Sequence, residues 1–218
     1  MKMKESLKKE WPILFLLFAP FITSMFIWDM VPETVPTHFN IYGEADDYGP
    51  KWIILYLLPG IALITYIALL LLPYIDPKRR IKTSQKPIAA IRVIISVFLV
   101  GLYTIVVLIS MNQEIAIETY IVIGCGFLFL VIGNYLNSVK QNYFIGIRTP
   151  WALENSTVWK RTHRLGSKVW MIGGIIILIS PLLGLETILG ISIIILAAIP
   201  MVLIPVIYSY IAYQKIES

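Results

Sequence analysis

The stretch WIILYLLPGIALITYIALLLLPYI, residues 52–75, contains no Asp, Glu, Lys or Arg. A helix needs about 20 such apolar residues to cross a hydrocarbon core of about 30 Å. Five further apolar runs accompany it, so the sequence predicts an all-α integral membrane protein with six transmembrane helices. The predicted spans are Trp11–Trp28, Trp52–Ile75, Ile88–Met111, Thr119–Leu136, Val169–Leu185 and Thr187–Tyr213.

The composition agrees with a membrane protein. Of the 218 residues, 58% are hydrophobic and 14% are charged, and the mean hydropathy is +0.79. Average soluble domains carry about 25% charged residues. The net charge of +5 is not accompanied by a nucleic-acid recognition motif, so we interpret it as a topology signal. No small-x-small cleavage site precedes Asp29, and we expect the first span to stay uncleaved.

The cations divide unevenly between the loops. With six spans, Lys51 is the one Lys or Arg among the 18 that falls in loops one, three or five. The others lie in the two termini and in loops two and four: Lys2, Lys4, Lys8, Lys9, Lys78, Arg79, Arg80, Lys82, Lys86, Arg92, Lys140, Arg148, Lys160, Arg161, Arg164, Lys168 and Lys215. The positive-inside rule therefore predicts three hairpins with both termini in the cytoplasm.

The first outer loop is patterned beyond what a connector needs. Between residues 35 and 42, apolar and polar residues alternate, which predicts a short extended segment. A turn is predicted from Gly43 to Gly49. Three interpretations stay open: a cap on the helix ends, a binding surface for a cationic or amphipathic peptide, or a metal site. The candidate binding residues are Pro36, His38, Asn40, Gly43, Asp46, Asp47 and Gly49, and Glu44 is a further possible metal ligand.

That metal site has little support from spacing, because the residues do not follow the calcium-loop pattern. We predict no bound metal and no cofactor. Cys125 is the single cysteine and lies within the fourth predicted span, so the chain can form no internal disulfide.

The second polar segment joins the fourth and fifth spans. Gly146 permits a tight turn or a close backbone approach, and Pro150 favours an extended Thr149. Asn155 or Ser156 is a suitable N-cap for a new helix. An arginine such as Arg148 would be structural if its guanidinium packed against helix-end carbonyls.

The helix that follows is predicted to be amphipathic. Trp159, His163 and Trp170 share one face, and Lys160, Arg164 and Lys168 form a stripe on another. An interfacial helix on anionic lipid and a docking surface for a cytoplasmic protein both fit this pattern. The candidate residues of the segment are Asn134, Asn142, Gly146, Arg148, Thr149, Pro150, Trp151, Trp159, His163 and Arg164.

Two segments resemble a known family. The outer loop VPETVPTHFNIYGEADDYGPK resembles a domain of unknown function often fused to SdpI-type membrane proteins. The pattern N-x7-N-x3-G-I-R-T-P-W, starting at Asn134, and V-W-x3-H-R, starting at Val158, resemble the SdpI immunity family. The resemblance implies an N-terminal hairpin over residues 1–87 and an SdpI-like four-helix region over 88–218, with its inner loop at 134–170.

The resemblance also implies a function. Members are non-enzymatic bacterial or archaeal plasma-membrane proteins that protect a cell from a secreted peptide toxin. Some are implied to signal as well, by holding a cytoplasmic repressor at the membrane once toxin is engaged; no direct nucleic-acid binding is expected. A small-solute or peptide transporter or channel is the alternative, but no Asp, Glu, Lys or Arg lies at a span centre. An enzyme is disfavoured because the catalytic motifs of intramembrane hydrolases are absent from the sequence.

Overall fold

The computed structural model of the chain describes residues 10–75, 85–185, 189 and 191–217. Most of these residues are helical. Two elements interrupt the α-helical pattern: a π-helical turn, Ile53–Leu57, leads into the second helix, and a 3₁₀ turn, Ser180–Leu183, follows the sixth. The α-helices are α1 (Trp11–Ile27), α2 (Leu58–Ile75), α3 (Gln85–Ser110), α4 (Ile117–Leu136), α5 (Pro150–Glu154), α6 (Ser156–Ile179) and α7 (Ser192–Glu217).

Five helical segments of the described residues are long and apolar enough to cross a membrane. They are Ile53–Ile75, Lys86–Ser110, Ile117–Leu136, Ser156–Leu183 and Ser192–Ile216. A helix satisfies its backbone hydrogen bonds internally, which is required in lipid. The sixth apolar helix, α1, is shorter at 17 residues. The apolar helices are therefore confirmed, whereas the six-span hairpin arrangement and the position of the termini remain predictions.

The prediction of an all-α chain is wrong for the first outer loop, and the fold is mostly helical instead. Residues Thr34–Phe39 form β1 and Ala45–Pro50 form β2, and the two strands pair antiparallel. Residues 35–39 of the predicted extended segment lie in β1. The predicted turn from Gly43 to Gly49 is wrong in its bounds, because Ala45–Pro50 form β2 and the turn lies at residues 41–43. Gly43 occupies a left-handed conformation with φ of 82°, which a glycine adopts without strain. A six-residue strand needs no helix-like apolar run, so hydropathy alone does not reveal it.

The described residues form two compact units. The first consists of residues 10–68 and 93–117 and contains α1, the β-hairpin and most of α3. Polar side chains hold its helices together. Ser24 of α1 donates a hydrogen bond to the Leu55 carbonyl at 2.8 Å, and its oxygen lies 2.9 Å from the Tyr103 hydroxyl of α3. Such side chains join helices where no water competes for their hydrogen bonds.

The second unit consists of residues 69–75, 85–92 and the described residues from 118 onward. Small residues let α4 and α6 approach closely. The Ser167 hydroxyl donates to the Gly133 carbonyl at 2.6 Å, and a Cβ on Gly174 would collide with the backbone of α4 at Leu130. The Trp170 indole donates to the Met201 carbonyl at 2.9 Å and thereby links α6 to α7. The inner loop lies within this unit.

Candidate functional site

The segment between α4 and α6, residues 137–155, is called the inner loop below, and Asn142 organises its first half. The side chain of Asn142 is almost completely buried and makes four hydrogen bonds. Its amide nitrogen donates to the carbonyls of Lys140 and Ile145, at 2.8 and 3.0 Å. Its oxygen accepts from the backbone N–H groups of Phe144 and Ile145, both at 2.8 Å. Asn142 therefore stabilises the turn at its centre, and its side-chain nitrogen and oxygen each make two hydrogen bonds within the loop.

Gly146 and His163 meet where the inner loop contacts α6. Gly146 has φ of 113°, and a Cβ at this position would collide with the His163 imidazole. The N–H of Ile147 donates to Nε2 of His163 at 3.1 Å, so Nε2 carries a lone pair. Nδ1 then carries the proton and donates to the Trp159 carbonyl at 2.9 Å. His163 is a neutral, buried imidazole that fixes the loop, which leaves neither nitrogen for a metal.

Trp159 is the largest of the fully buried side chains around this contact. Its ring stacks on the His163 ring with centroids 3.9 Å apart, and its indole N–H donates to the Val139 carbonyl at 2.9 Å. The predicted shared face of Trp159 and His163 is therefore confirmed as an inward face of α6. It holds the inner loop against α6.

Two short caps complete the inner loop. The Thr149 hydroxyl accepts a hydrogen bond from the Ala152 N–H at the start of α5, where Pro150 occupies the first turn. The Asn155 side chain accepts from the N–H groups of Thr157 and Val158 and so begins α6, as the sequence predicts. Trp151 packs against Tyr210 of α7, with ring centroids 5.0 Å apart. The loop is anchored to α6 and α7 of the second unit.

Arg148 differs from these residues because its side chain is exposed. One of its terminal nitrogens donates to the Tyr143 carbonyl at 2.7 Å, within the loop rather than at a helix end. Arg148 takes part in neither the His38–Asp46 nor the Lys51–Glu33 ion pair. The cationic stripe of Lys160, Arg164 and Lys168 on α6 is exposed as predicted. The inner loop and α6 together therefore present exposed cations beside a buried, hydrogen-bonded base.

The other residues predicted for the inner loop lie apart from this base. Asn134 is exposed on α4 and makes no hydrogen bond to a described residue. Sequence reasoning missed Gln141, whose amide donates to the carbonyls of Ala152 and Leu153 at 3.1 and 2.7 Å. It also missed Ser167. Neither residue has a distinctive sequence neighbourhood, so no local signal could have found them.

In the predicted outer loop, hydrogen bonds made by Asn40 at the turn stabilise the β-hairpin. The Asn40 oxygen accepts from the N–H groups of Tyr42 and Glu44, at 2.9 and 3.1 Å. Nδ1 of the exposed His38 lies 2.5 Å from an Asp46 carboxylate oxygen. The Asp47 carboxylate accepts from the Tyr48 N–H at 2.9 Å, and it remains exposed. A Cβ on Gly49 would press on Thr37 and Ile53. Pro36 lies in β1 opposite Tyr48.

Lys51, which sequence analysis noted only as a topological exception, supports this hairpin. Its side chain is 5% exposed, and its ammonium donates to the Trp28 carbonyl at 2.8 Å and to the Glu33 carboxylate at 2.9 Å. The ammonium also lies 4.5 Å from the centre of the Trp28 ring. The Lys51 charge is therefore compensated internally, and the exposed charge of the hairpin is acidic.

No group of three or more His, Cys, Asp or Glu side chains that could hold a metal ion occurs in residues 10–75, 85–185, 189 and 191–217. Eight of the predicted cationic positions, Lys2, Lys4, Lys8, Lys9, Lys78, Arg79, Arg80 and Lys82, lie outside the residues that the structure describes. Their contribution to topology rests on sequence alone.

The apolar helices, joined by a structured polar hairpin and a structured cationic loop, define a multi-pass membrane protein. Comparison with known proteins gives its family. The model of the SdpI/YfhL protein family matches residues 138–210, and that of a domain of unknown function, DUF1648, matches residues 15–63. The chain belongs to the SdpI family, because it is 30% identical over 216 residues to the Immunity protein SdpI of Bacillus subtilis (strain 168). That match covers 97% of this chain and 99% of the relative. No solved structure matches the chain.

Proposed function

We propose that this chain is a non-enzymatic plasma-membrane immunity protein that protects its cell from a secreted peptide toxin. The observation that carries the proposal is the end-to-end similarity to a protein named as an immunity protein, over 97% of this chain. A similarity of this extent includes both the β-hairpin and the inner loop. The proposal therefore assigns the β-hairpin and the inner loop to a single function of one protein.

The proposed topology has six spans as three hairpins, with both termini in the cytoplasm. α1 has 17 residues and a length of about 26 Å, close to the roughly 30 Å of the hydrocarbon core. The distribution of Lys and Arg supports the orientation. Lys51 is the one cation that counts against it. In this arrangement residues 1–87 form the N-terminal hairpin and 88–218 the four-helix region.

A fusion experiment tests that topology. Alkaline phosphatase is active only outside the cytoplasm, whereas green fluorescent protein folds and fluoresces within it. We expect fluorescence when the reporter follows Ser218 and phosphatase activity when it is inserted in the turn at Gly43. Phosphatase activity from the C-terminal fusion would contradict an even number of spans with a cytoplasmic N-terminus.

The outer β-hairpin is the proposed toxin-binding surface. Glu44, Asp46 and Asp47 are exposed on it, beside exposed apolar side chains of Tyr42 and Tyr48. Acidic and aromatic groups together complement a cationic, amphipathic peptide. His38, Asn40 and the turn glycine Gly43 shape this surface, and Pro36 and Gly49 keep its strands in place.

On the cytoplasmic side, the proposed partner is a repressor protein that docks on the inner loop and α6. The exposed cations Arg148 and Arg164 would meet acidic groups on that partner. Asn142, Gly146, Thr149, Pro150, Trp151, Trp159 and His163 would act by holding the loop rigid. A rigid surface loses less conformational entropy when a partner binds.

A survival assay separates the parts of this proposal. A toxin-sensitive bacterium expressing the chain is challenged with a secreted peptide toxin from a bacterium that carries a related immunity protein. The test variant is Asp46→Asn with Asp47→Asn, and the matched control is Glu114→Gln, an exposed acid in another predicted outer loop. We expect protection by the wild-type chain and the control, and at least a tenfold lower survival with the double variant.

Two outcomes contradict the proposal in different ways. If the wild-type chain reaches the membrane and gives no protection, the immunity function is rejected. If the double variant protects as well as the wild-type chain at equal abundance, immunity stands and toxin binding by the hairpin is rejected.

A further inference from the structure

A cavity of about 320 Å³ lies between the inner loop and α7. One wall is the loop segment from Gly146 to Thr149, which includes Arg148, and the opposite wall is formed by Trp170 and by Met201, Val202 and Val206 of α7. Small-molecule sites in proteins have volumes of about 300–1,000 Å³, so this cavity is at the lower end of that range.

The two walls differ in chemistry. Arg148 is an exposed cation with one described hydrogen bond, to the Tyr143 carbonyl, although a guanidinium carries five N–H donors. Its pairing therefore leaves donors for an anionic ligand. The α7 wall carries no charge, and Val202 and Val206 are 54% and 36% exposed there. An occupant that satisfies both walls must have an anionic group and an apolar part.

The cavity lies at the level where α6 changes from charged to apolar. Lys168 is the last charged residue of α6, and Trp170 follows two residues later. Indole side chains favour the boundary between head groups and hydrocarbon, where a polar N–H and an apolar ring are both accommodated. The Trp170 N–H is bonded to the Met201 carbonyl, which fixes the ring at the cavity wall.

We propose that this cavity is a binding site for one anionic phospholipid, whose phosphate is held by Arg148 and whose acyl chain lies along Val202 and Val206. Arginine binds phosphate by short, charge-assisted hydrogen bonds from a planar group. The apolar α7 wall favours a lipid over a water-soluble phosphate, because a soluble anion has no apolar part that could pack against that wall. The site does not depend on the proposed immunity function, but a bound lipid would occupy the Arg148 side chain that the proposed repressor surface also uses.

Native mass spectrometry of the purified full-length chain in detergent, titrated with dioleoyl phosphatidylglycerol, tests the proposal. The Arg148→Gln variant removes the charge, and Arg161→Gln is the matched control, because Arg161 is exposed on α6 and does not line the cavity. We expect Arg148→Gln to weaken lipid binding about tenfold, as for the loss of one charge-assisted bond, and Arg161→Gln to weaken it less than twofold.

A second variant guards against misfolding. Val206→Trp fills the cavity from the α7 wall while Arg148 stays in place, and we expect the same tenfold loss with an unchanged melting temperature. Equal effects of Arg148→Gln and Arg161→Gln would overturn the proposal in favour of a diffuse basic surface. Displacement of the lipid by equimolar glycerol phosphate would also overturn it, because the apolar wall would then contribute nothing to binding. Equal binding of dioleoyl phosphatidylcholine would overturn it as well, because the site would then not select an anionic lipid.

Discussion

Gly146→Ala is the single substitution that the structure predicts to damage the inner loop most directly. Gly146 has φ of 113°, and its missing Cβ is the space that the His163 imidazole occupies. An alanine must therefore change its own backbone angles and also displace the ring. Moving the ring breaks the hydrogen bond from the Ile147 N–H to Nε2 and disturbs the stack on Trp159.

The magnitude follows from two contributions. A non-glycine residue held in this backbone region costs about 1–3 kcal/mol. A buried N–H that loses its acceptor costs about 1–3 kcal/mol more. The sum is about 2–6 kcal/mol, which corresponds to a fall in melting temperature of roughly 4–24 °C for a chain of about 200 residues.

Two other glycines supply matched controls in the same assay. Gly184 also has a positive φ, of 66°, but a Cβ there meets no described atom within 4 Å. Gly184→Ala should therefore cost only the backbone strain, about 1–2 kcal/mol. Gly101 lies inside α3, with open space around its missing Cβ. Gly101→Ala should stabilise the chain by about 0.5–1 kcal/mol.

Thermal unfolding of the purified chain in detergent, followed by circular dichroism, measures all three variants. We expect Gly101→Ala to melt above the wild-type chain, Gly184→Ala slightly below it and Gly146→Ala well below both. If Gly146→Ala melted within about 2 °C of Gly184→Ala, the contact between Gly146 and His163 would contribute nothing, and the account of the inner loop would be refuted.

Three further substitutions test the other buried polar groups. Asn142→Ala removes four hydrogen bonds, so it should lower the free energy of unfolding by about 2–4 kcal/mol and speed proteolysis of the inner loop. Asn137→Ala, at an exposed position, should do neither. Equal proteolysis rates for the two variants would show that Asn142 does not organise the turn. His163→Phe keeps a ring on Trp159 but leaves the Ile147 N–H without its acceptor, so the melting temperature should fall by roughly 4–12 °C, and an unchanged value would argue against that bond. Lys51→Met leaves the backbone carbonyls of Trp28 and Val31 without their donor, so chymotrypsin should cut the outer hairpin at least fivefold faster than in the wild-type chain. An unchanged cleavage rate would argue that Lys51 is not structural.

Local patterns in the sequence predict the helices well because each pattern reports on a short segment. The apolar run of residues 52–75 predicts a span, and the structure begins that helix with a π-helical turn at Ile53. Asn155 predicts a helix start, and its side chain caps α6 as expected. The alternation in residues 35–42 predicts extended chain, although the span count and the fold class took no account of it. Each of these signals needs only neighbouring residues.

Contacts between distant residues could not be predicted in the same way. Ile147 and His163 are 16 positions apart, and nothing in either neighbourhood indicates that a backbone N–H will point at an imidazole. Lys51 has the sequence surroundings of an exposed lysine in a polar loop, yet its side chain is buried and its ammonium donates to the Trp28 carbonyl and the Glu33 carboxylate. The periodicity of a helix gives its faces, but the partner of each face depends on how the whole chain packs.

Several polar residues that would suggest ligand binding from the sequence instead hold the two polar loops of this chain in their conformations. The amide of Asn142, the imidazole of His163 and the ammonium of Lys51 are buried, and their hydrogen bonds go to the protein itself. A group whose donors and acceptors are already paired gains little by exchanging them for those of a ligand. Other charged groups stay exposed, among them Asp47 on the hairpin and Arg148 on the inner loop. Recognition by this protein is therefore expected to depend on carboxylates on one loop and a guanidinium on the other, each presented by a scaffold that its buried polar neighbours keep rigid.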